Sequence, residues 1–361
     1  MKIGIITLFD SNNFGNKLQN VALQNILRQY ADEVVTIKNK PTFKSIKEKI
    51  FRASPLAESA LINFLVGKRR KAAILRYTRK YINTSRKCYS YEKNYNYPPE
   101  GCDYYCAGSD QIWNPELGRT GGFNYLNFNK KNKNFSYAAS FGVSKIENEN
   151  VELVEKGLSN IGFISVRENS GAKIVRALTN RNDVAVLIDP TLYFDKKVWE
   201  KMARKPKKFP KNKYMLLYFL GEISDTRKKE LVIFSKLHDL EIVDVMNRTS
   251  KLYAIGPDEF LYLIQHAQMT CTDSFHASVF SFIFDIPLAI FDRAGKVPDM
   301  GSRLVTLTNK FHLEKCMIKD DKLSDTLFQV SYAEGKKILR KERQKADCFL
   351  DRVFQNDKNE C

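Results

Sequence analysis

Histidine, glycine and proline are all sparse here: 4 His, 17 Gly and 11 Pro in 361 residues. So few Gly and Pro exclude a fibrous chain or a large disordered part. No run of about eighteen apolar residues occurs, which excludes a membrane-spanning helix. The seven cysteines, Cys88, Cys102, Cys106, Cys271, Cys316, Cys348 and Cys361, are odd in number and contain no CxxC pair. A disulfide framework and a structural zinc site are therefore both unexpected, and buried free thiols are the simplest account. The histidines, His238, His266, His276 and His312, lack ligand spacing, so no metal is expected either. Acidic residues are short too, with 41 Asp and Glu against 59 Lys and Arg, a net charge of +18 that asks for an anionic partner.

What is present is globular: 43% hydrophobic, 12% aromatic and 28% charged residues, on a chain long enough for two domains. The opening apolar run, Ile3 to Leu8, is too short for a signal peptide, so a cytoplasmic protein is expected. The charge is uneven. Between Pro41 and Ser90 stand thirteen Lys or Arg against Glu48 and Glu58, interleaved with apolar residues such as Ile46, Phe51, Leu61, Ile74 and Tyr77. That pattern reads as a basic helical insert, 41–90, able to rest on an anionic bilayer or a nucleic acid. An ordinary solvated helix face explains it equally well.

Strand-length apolar runs alternate with helical patterns along both halves, which predicts parallel sheets covered on both faces. In the first half the strands are Lys2–Leu8, Val34–Ile37, Tyr104–Ala107, Phe135–Ala138, Phe163–Val166 and Ala185–Ile188. The second half repeats the plan with Tyr214–Leu220, Glu241–Val245 and a strand near Met269. Lys205 to Lys211, charged and marked by two prolines, reads as the linker. The expected domains are 1–204 with the insert, then 212–330, then a basic helix and tail, 331–361. Two such domains imply a cleft.

Candidate site residues follow from strand ends, where open α/β sheets bind ligands. Asn13, Asn16 and Lys17 lie in or just after the first polar loop and offer contacts to a substrate, although the loop lacks GxGxxG and a P-loop lysine. Gly108-Ser109-Asp110 ends a buried strand, making Asp110 a candidate base or hydroxyl ligand; nearby Trp113 reads as core. Arg167 follows a strand and is either an anion clamp or half of a surface pair with Glu168 or Asp189. In the second half, Met269 to Ile290 reads as strand, polar turn, apolar helix and strand. Its turn puts Asp273, Ser274 and His276 at a helix start, where amides and the dipole favour an anion and an imidazole can act as an acid. Arg303 lies near another helix start and is a second possible phosphate clamp.

Taken together, several motifs resemble the polysaccharide pyruvyl transferase family: Asn13-Phe14-Gly15, Gly108-Ser109-Asp110-Gln111-Ile112-Trp113-Asn114 and Ser136-Tyr137-Ala138-Ala139-Ser140-Phe141-Gly142. Ser165-Val166-Arg167-Glu168, Asp189-Pro190-Thr191-Leu192, Thr272-Asp273-Ser274-Phe275-His276 and Ser302-Arg303 continue the likeness. The resemblance implies an α/β fold of two Rossmann-like, GT-B-like domains facing a cleft. It also implies a reaction, in which phosphoenolpyruvate gives its three-carbon unit to two hydroxyls of a sugar, forming a cyclic pyruvate ketal and releasing phosphate. No cofactor is implied beyond that donor substrate. By resemblance His276 is the acid, with Ser274 beside it and Arg167 clamping the donor. Several branches carry an arginine where Ser274 stands, and Arg303 is the expected replacement. Asp110 and Asp273 both qualify as the base by type, and Asn13, Asn16 and Lys17 as acceptor contacts.

The expected partners are phosphoenolpyruvate and a glycan acceptor, a lipid-linked one if the insert meets an anionic membrane. A GT-B glycosyltransferase using a nucleotide sugar is the alternative enzyme. A basic nucleic-acid-binding protein is the alternative of another class, and no zinc finger or RNA-recognition signature favours it.

Overall fold

In a computed structural model the structure describes residues 1–9, 13–40, 58–118, 121–293 and 302–355. The chain divides into two compact units. Unit 1 comprises Met1–Leu56, Arg79–Tyr193 and Lys341–Cys361; unit 2 comprises Ala57–Thr78 and Phe194–Arg340.

Unit 1 is built on a seven-stranded parallel sheet. Its strands are β1 (Lys2–Ile6), β2 (Glu33–Lys40), β3 (Thr84–Ser90), β4 (Tyr104–Asp110), β5 (Asn134–Ala139), β6 (Ser165–Val166) and β7 (Ala185–Val186), in the order β3-β2-β1-β4-β5-β6-β7. β4 and β5 are buried along their whole length, as central strands covered on both faces must be. The order runs outward one way from β1 to β3, then resumes on the other side of β1 with β4. The switch in direction therefore falls between β1 and β4, where such sheets form a crevice at their C-terminal edge. Helix α1 (Phe14–Leu27) leaves that edge, capped by Asn13, whose Oδ1 accepts the Gly15 N–H at 2.8 Å. Every residue of α1 except Asn25 is buried, so its polar side chains need internal partners. Gln19 donates to Thr7 Oγ1 at 3.1 Å, and Gln24 to Thr36 Oγ1 at 2.8 Å and to the Asn83 carbonyl at 2.7 Å.

Unit 2 holds a four-stranded parallel sheet of β8 (Tyr214–Tyr218), β9 (Glu241–Asp244), β10 (Met269–Thr272) and β11 (Leu288–Ile290), in the order β11-β10-β8-β9. Here the switch falls between β8 and β10. One core cluster gathers Met215, Leu217, Phe219, Leu231, Phe234, Met269, Cys271 and Phe291. The helix between β10 and β11, Phe275–Phe284, has all ten residues buried.

Four expectations about the layout need correction. Thr84–Ser90, counted with the helical insert, is the edge strand β3: only Ser85 and Tyr89 are fully covered, and Arg86, Lys87 and Cys88 face solvent. Of the insert, residues 41–57 lie outside the described residues, and Glu58–Tyr81 is a helix whose first part goes with unit 2 rather than with the first domain. Arg70 explains that assignment, because its guanidinium donates to the carbonyls of Val245 (3.3 Å) and Tyr253 (2.8 Å) and lies 4.7 Å from the Tyr253 ring centre. The boundary falls at 193/194, before the proline-marked stretch, since Trp199 packs edge-on against Phe280 at 4.9 Å and Arg204 pairs with Asp258 at 2.7 Å. Finally, the closing helix, Ala333–Gln355, is not a separate tail: from residue 341 it belongs to unit 1, where Phe354 stacks on Tyr30 at 5.0 Å.

Candidate functional site

In unit 1 the switch crevice is lined by charged groups. Near the end of β4 stands Gly108, whose φ of +122° and lack of a side chain are both needed, because a Cβ there would lie 2.5 Å from the Tyr137 carbonyl oxygen. Asp110 follows with φ +65°. Its Oδ2 accepts from Asn16 Nδ2 at 3.1 Å and its Oδ1 from the Gln111 N–H at 2.9 Å. Arg167, just past β6, reaches the same place: Nη2 is 3.7 Å from Asp110 Oδ1, Nη1 donates to Asp189 Oδ2 at 2.7 Å, and Nε is 3.9 Å from Glu168 Oε2. One guanidinium thus faces three carboxylates, and the pairing with Asp189 is buried rather than on the surface. Burial alone would lower the pKa of Arg167; Asp189, Asp110 and Glu168 together outweigh it and hold the group above its ordinary value.

Two of the carboxylates are sealed. Asp189 accepts from the Thr191 amide (3.0 Å) and hydroxyl (2.6 Å); Glu168 accepts from the Ser140 hydroxyl (2.8 Å) and the Phe141 amide (3.0 Å). Asp110 alone among the three keeps an exposed edge, 12% of its side chain. The motif residues behind it are structural. Trp113 is fully buried and stacks on Tyr125 at 5.5 Å, as its core reading requires. At Gly142, φ +66°, a Cβ would lie 1.9 Å from Gln111 Nε2, so a side chain there would be strained and would displace the Gln111 amide. Lys17 is buried; its ammonium bonds the Phe9 carbonyl and lies 4.5 Å from the Phe9 ring centre.

In unit 2, Asp273, Ser274 and His276 share the junction between β10 and the buried helix Phe275–Phe284. Thr272 Oγ1 sets the turn by donating to the Tyr218 carbonyl (2.6 Å) and accepting the Ser274 N–H (2.9 Å). The helix starts at Ser274 with no side-chain cap and no acidic residue in its first turn, and His276 lies in that turn, 5% exposed. First-turn amides lack intrahelical acceptors in any helix, and here the dipole's positive end meets no internal carboxylate on its own element. Asp273 looks the other way. Its Oδ1 accepts the Leu220 N–H (2.7 Å) and its Oδ2 the Gly221 N–H (2.8 Å) and Arg293 Nε (3.1 Å), while Arg293 Nη2 donates to the Asp273 carbonyl (3.1 Å). Sequence reasoning assigned Arg293 no role, although it stands just past β11 as Arg167 stands just past β6, and that shared placement was the available signal. Arg303, in the first turn of helix Ser302–Phe311, is buried.

Among the described residues no group of three or more His, Cys, Asp or Glu could hold a metal ion, and six cysteines are free, of which Cys88 and Cys348 are exposed. No helix of the described residues is long and apolar enough to cross a membrane.

Comparison with solved structures places the fold. The chain is similar to a Listeria monocytogenes protein assigned as a UDP-N-acetylglucosamine 2-epimerase, with a TM-score of 0.50 at 9% identity over 100% of this chain and 97% of that one. A UDP-N-acetylglucosamine 2-epimerase from Rickettsia bellii gives 0.47 at 8% identity over 98% of both chains, and the Escherichia coli heptosyltransferase WaaC gives 0.38 at 9% over 94% and 99%. At these identities the first likeness concerns the fold alone, which is α/β with parallel sheets and GT-B-like. Comparison with curated protein sequences gives no significant match. The family model for polysaccharide pyruvyl transferase, by contrast, matches residues 13–295. Because that match begins at the cap of α1, ends just past Arg293 and takes in every candidate residue except Arg303, the chain belongs to the polysaccharide pyruvyl transferase family.

Proposed function

We propose that the protein moves the enolpyruvate unit of phosphoenolpyruvate onto two hydroxyls of one sugar in a surface-polysaccharide precursor. The observation that carries this reading is the uncapped, acid-free first turn of helix Phe275–Phe284, with an imidazole in it. Its amides suit the donor's phosphate, and His276 suits delivery of a proton to the enol methylene. That proton, with the electron pair of the double bond, makes a methyl group and leaves an oxocarbenium-like centre at C2. One sugar hydroxyl adds there, the C2–O bond to phosphate breaks, and the second hydroxyl closes the ring. Of the two hydroxyl protons, one replaces the proton spent and one leaves with phosphate. The centre is cationic on the way, so neighbouring carboxylates lower its energy. Arg167 and Arg303 are the guanidiniums assigned to the donor, Asp110 receives the hydroxyl proton, and Asn16 holds Asp110 in place.

Phosphate release from phosphoenolpyruvate that depends on added glycan tests the reaction. His276→Ala and Arg303→Ala are each expected to lower it at least ~100-fold, the scale of a positioned general acid. Unchanged rates in both variants sink the assignment, and strong thermal protection by a nucleoside diphosphate in place of phosphoenolpyruvate points to the glycosyltransferase reading.

A cytoplasmic enzyme working on a lipid-linked acceptor would also meet the anionic face of a membrane. Helix Glu58–Tyr81 suits that, since Lys68, Arg69, Lys71, Arg76, Arg79 and Lys80 are exposed beside Leu65 and Leu75. Sedimentation with anionic liposomes at low salt, lost at high salt, is the expected outcome; no sedimentation at either removes the membrane claim.

A further inference from the structure

The switch crevice of unit 2 is where an open parallel sheet would offer backbone amides to a ligand. In this chain two of those amides, Leu220 and Gly221, are already taken by a carboxylate of the chain itself, Asp273. The side chain of Asp273 is 1% exposed. With Arg293 it accepts three hydrogen bonds on two oxygens, and the Arg293 guanidinium closes a second contact to its carbonyl. The donors come from the loops after β8 and β11, and the acceptor from the turn after β10. A single carboxylate therefore ties together three strand ends, and the turn it stands in is the one that opens the His276 helix. A carboxylate so fully engaged is poorly placed to take a proton from a hydroxyl, because doing so would disrupt two amide bonds and an ion pair.

We propose that Asp273 is a positioning residue: its carboxylate fills the anion site at the switch crevice of unit 2, and with Arg293 it fixes the turn from which His276 is presented. The kinetic part of this proposal rests on the function proposed above; the structural part does not. Small anions, sulfate and phosphate included, are thereby kept from those amides.

Chemical rescue tests it. In Asp273→Ala the space vacated by the carboxylate should accept formate, so added formate raises the melting temperature of this variant saturably and leaves the wild type unmoved. Should this variant not fold, Asp273→Gly expressed in formate-containing medium and Arg293→Ala are compared instead. In Arg293→Ala the acceptor keeps both amides, so it folds, and Arg293→Lys recovers part of the loss. For turnover, Asp273→Asn should lower kcat by ~100-fold, the scale of a misplacement of about 1 Å, while the acidic limb of the pH–rate profile survives. Formate then restores turnover in Asp273→Ala. Failure of formate to move the melting temperature of a folded Asp273→Ala or Asp273→Gly overturns the proposal, as does loss of the acidic limb in Asp273→Asn. Absence of phosphoenolpyruvate turnover in the wild type overturns only the proposed reaction, since the thermal readout needs no activity.

Discussion

Asp110 and Asp273 occupy similar places in two parallel sheets, Asp110 as the last residue of the strand beside the switch in strand order and Asp273 just past its strand, and their surroundings differ. Around Asp110 the charge is unbalanced, with three carboxylates about one guanidinium, and Asp110 keeps part of its side chain exposed. Around Asp273 the charge is met by two amides and one guanidinium, and the side chain is covered. The same residue type at nearly the same topological position thus keeps an edge toward solvent in one unit and is covered in the other. Each carries two hydrogen bonds and a guanidinium neighbour, so position in the fold nominates a residue and the exposure it keeps separates the two.

The helix starts differ in the same way. Asn13 caps α1 through its side chain, whereas Ser274 provides no cap for its helix. Asn13 meets one first-turn amide of its helix, the Gly15 N–H, and Ser274 meets none of its own through its side chain.

The comparison can be broken most decisively at Arg167. Replacing it with Met leaves Asp110, Glu168 and Asp189 without their buried cation, and a loss of ~3–5 kcal/mol in urea-measured stability is expected. A loss below about 1 kcal/mol would mean that the cluster is far better hydrated than its burial implies. Asn13→Ala comes next, at about 1 kcal/mol for the lost cap, read from the same denaturation curves. Ser274→Ala sharpens the contrast as the smallest effect, below ~0.5 kcal/mol, since no cap is there to lose. Equal costs at Asn13 and Ser274 would show that the two helix starts are not different in kind.

Much of this was legible in the sequence. The unbroken run Tyr214–Tyr218 of β8 and the short, largely apolar or small-residue runs of β4, β5 and β10 announced central parallel strands, and the helical spacing of Phe275, Val279, Phe282 and Ile283 announced the buried helix. β3 was missed because an edge strand with only Ser85 and Tyr89 covered and Arg86-Lys87-Cys88 exposed looks like the end of a basic helix. The split of the helix Glu58–Tyr81 was hidden because its anchor, Arg70, finds its acceptors some 175 to 183 residues away. The engagement of Asp273 was hidden for the same reason, its donors being 52, 53 and 20 residues distant. Local chemistry shows in a sequence; which amide a carboxylate will meet does not.

The helix that carries His276 is buried along its length and packs within its own unit, with Phe280 against Trp199, Phe282 against Phe311 and Tyr332 bonded to the Ile286 carbonyl just beyond it. It behaves as a post and not as a lever. A rotation about its axis would drive aromatic rings into close-packed neighbours, so motion on substrate binding must come from the loops around its first turn or carry the whole block of β10, helix and β11 together.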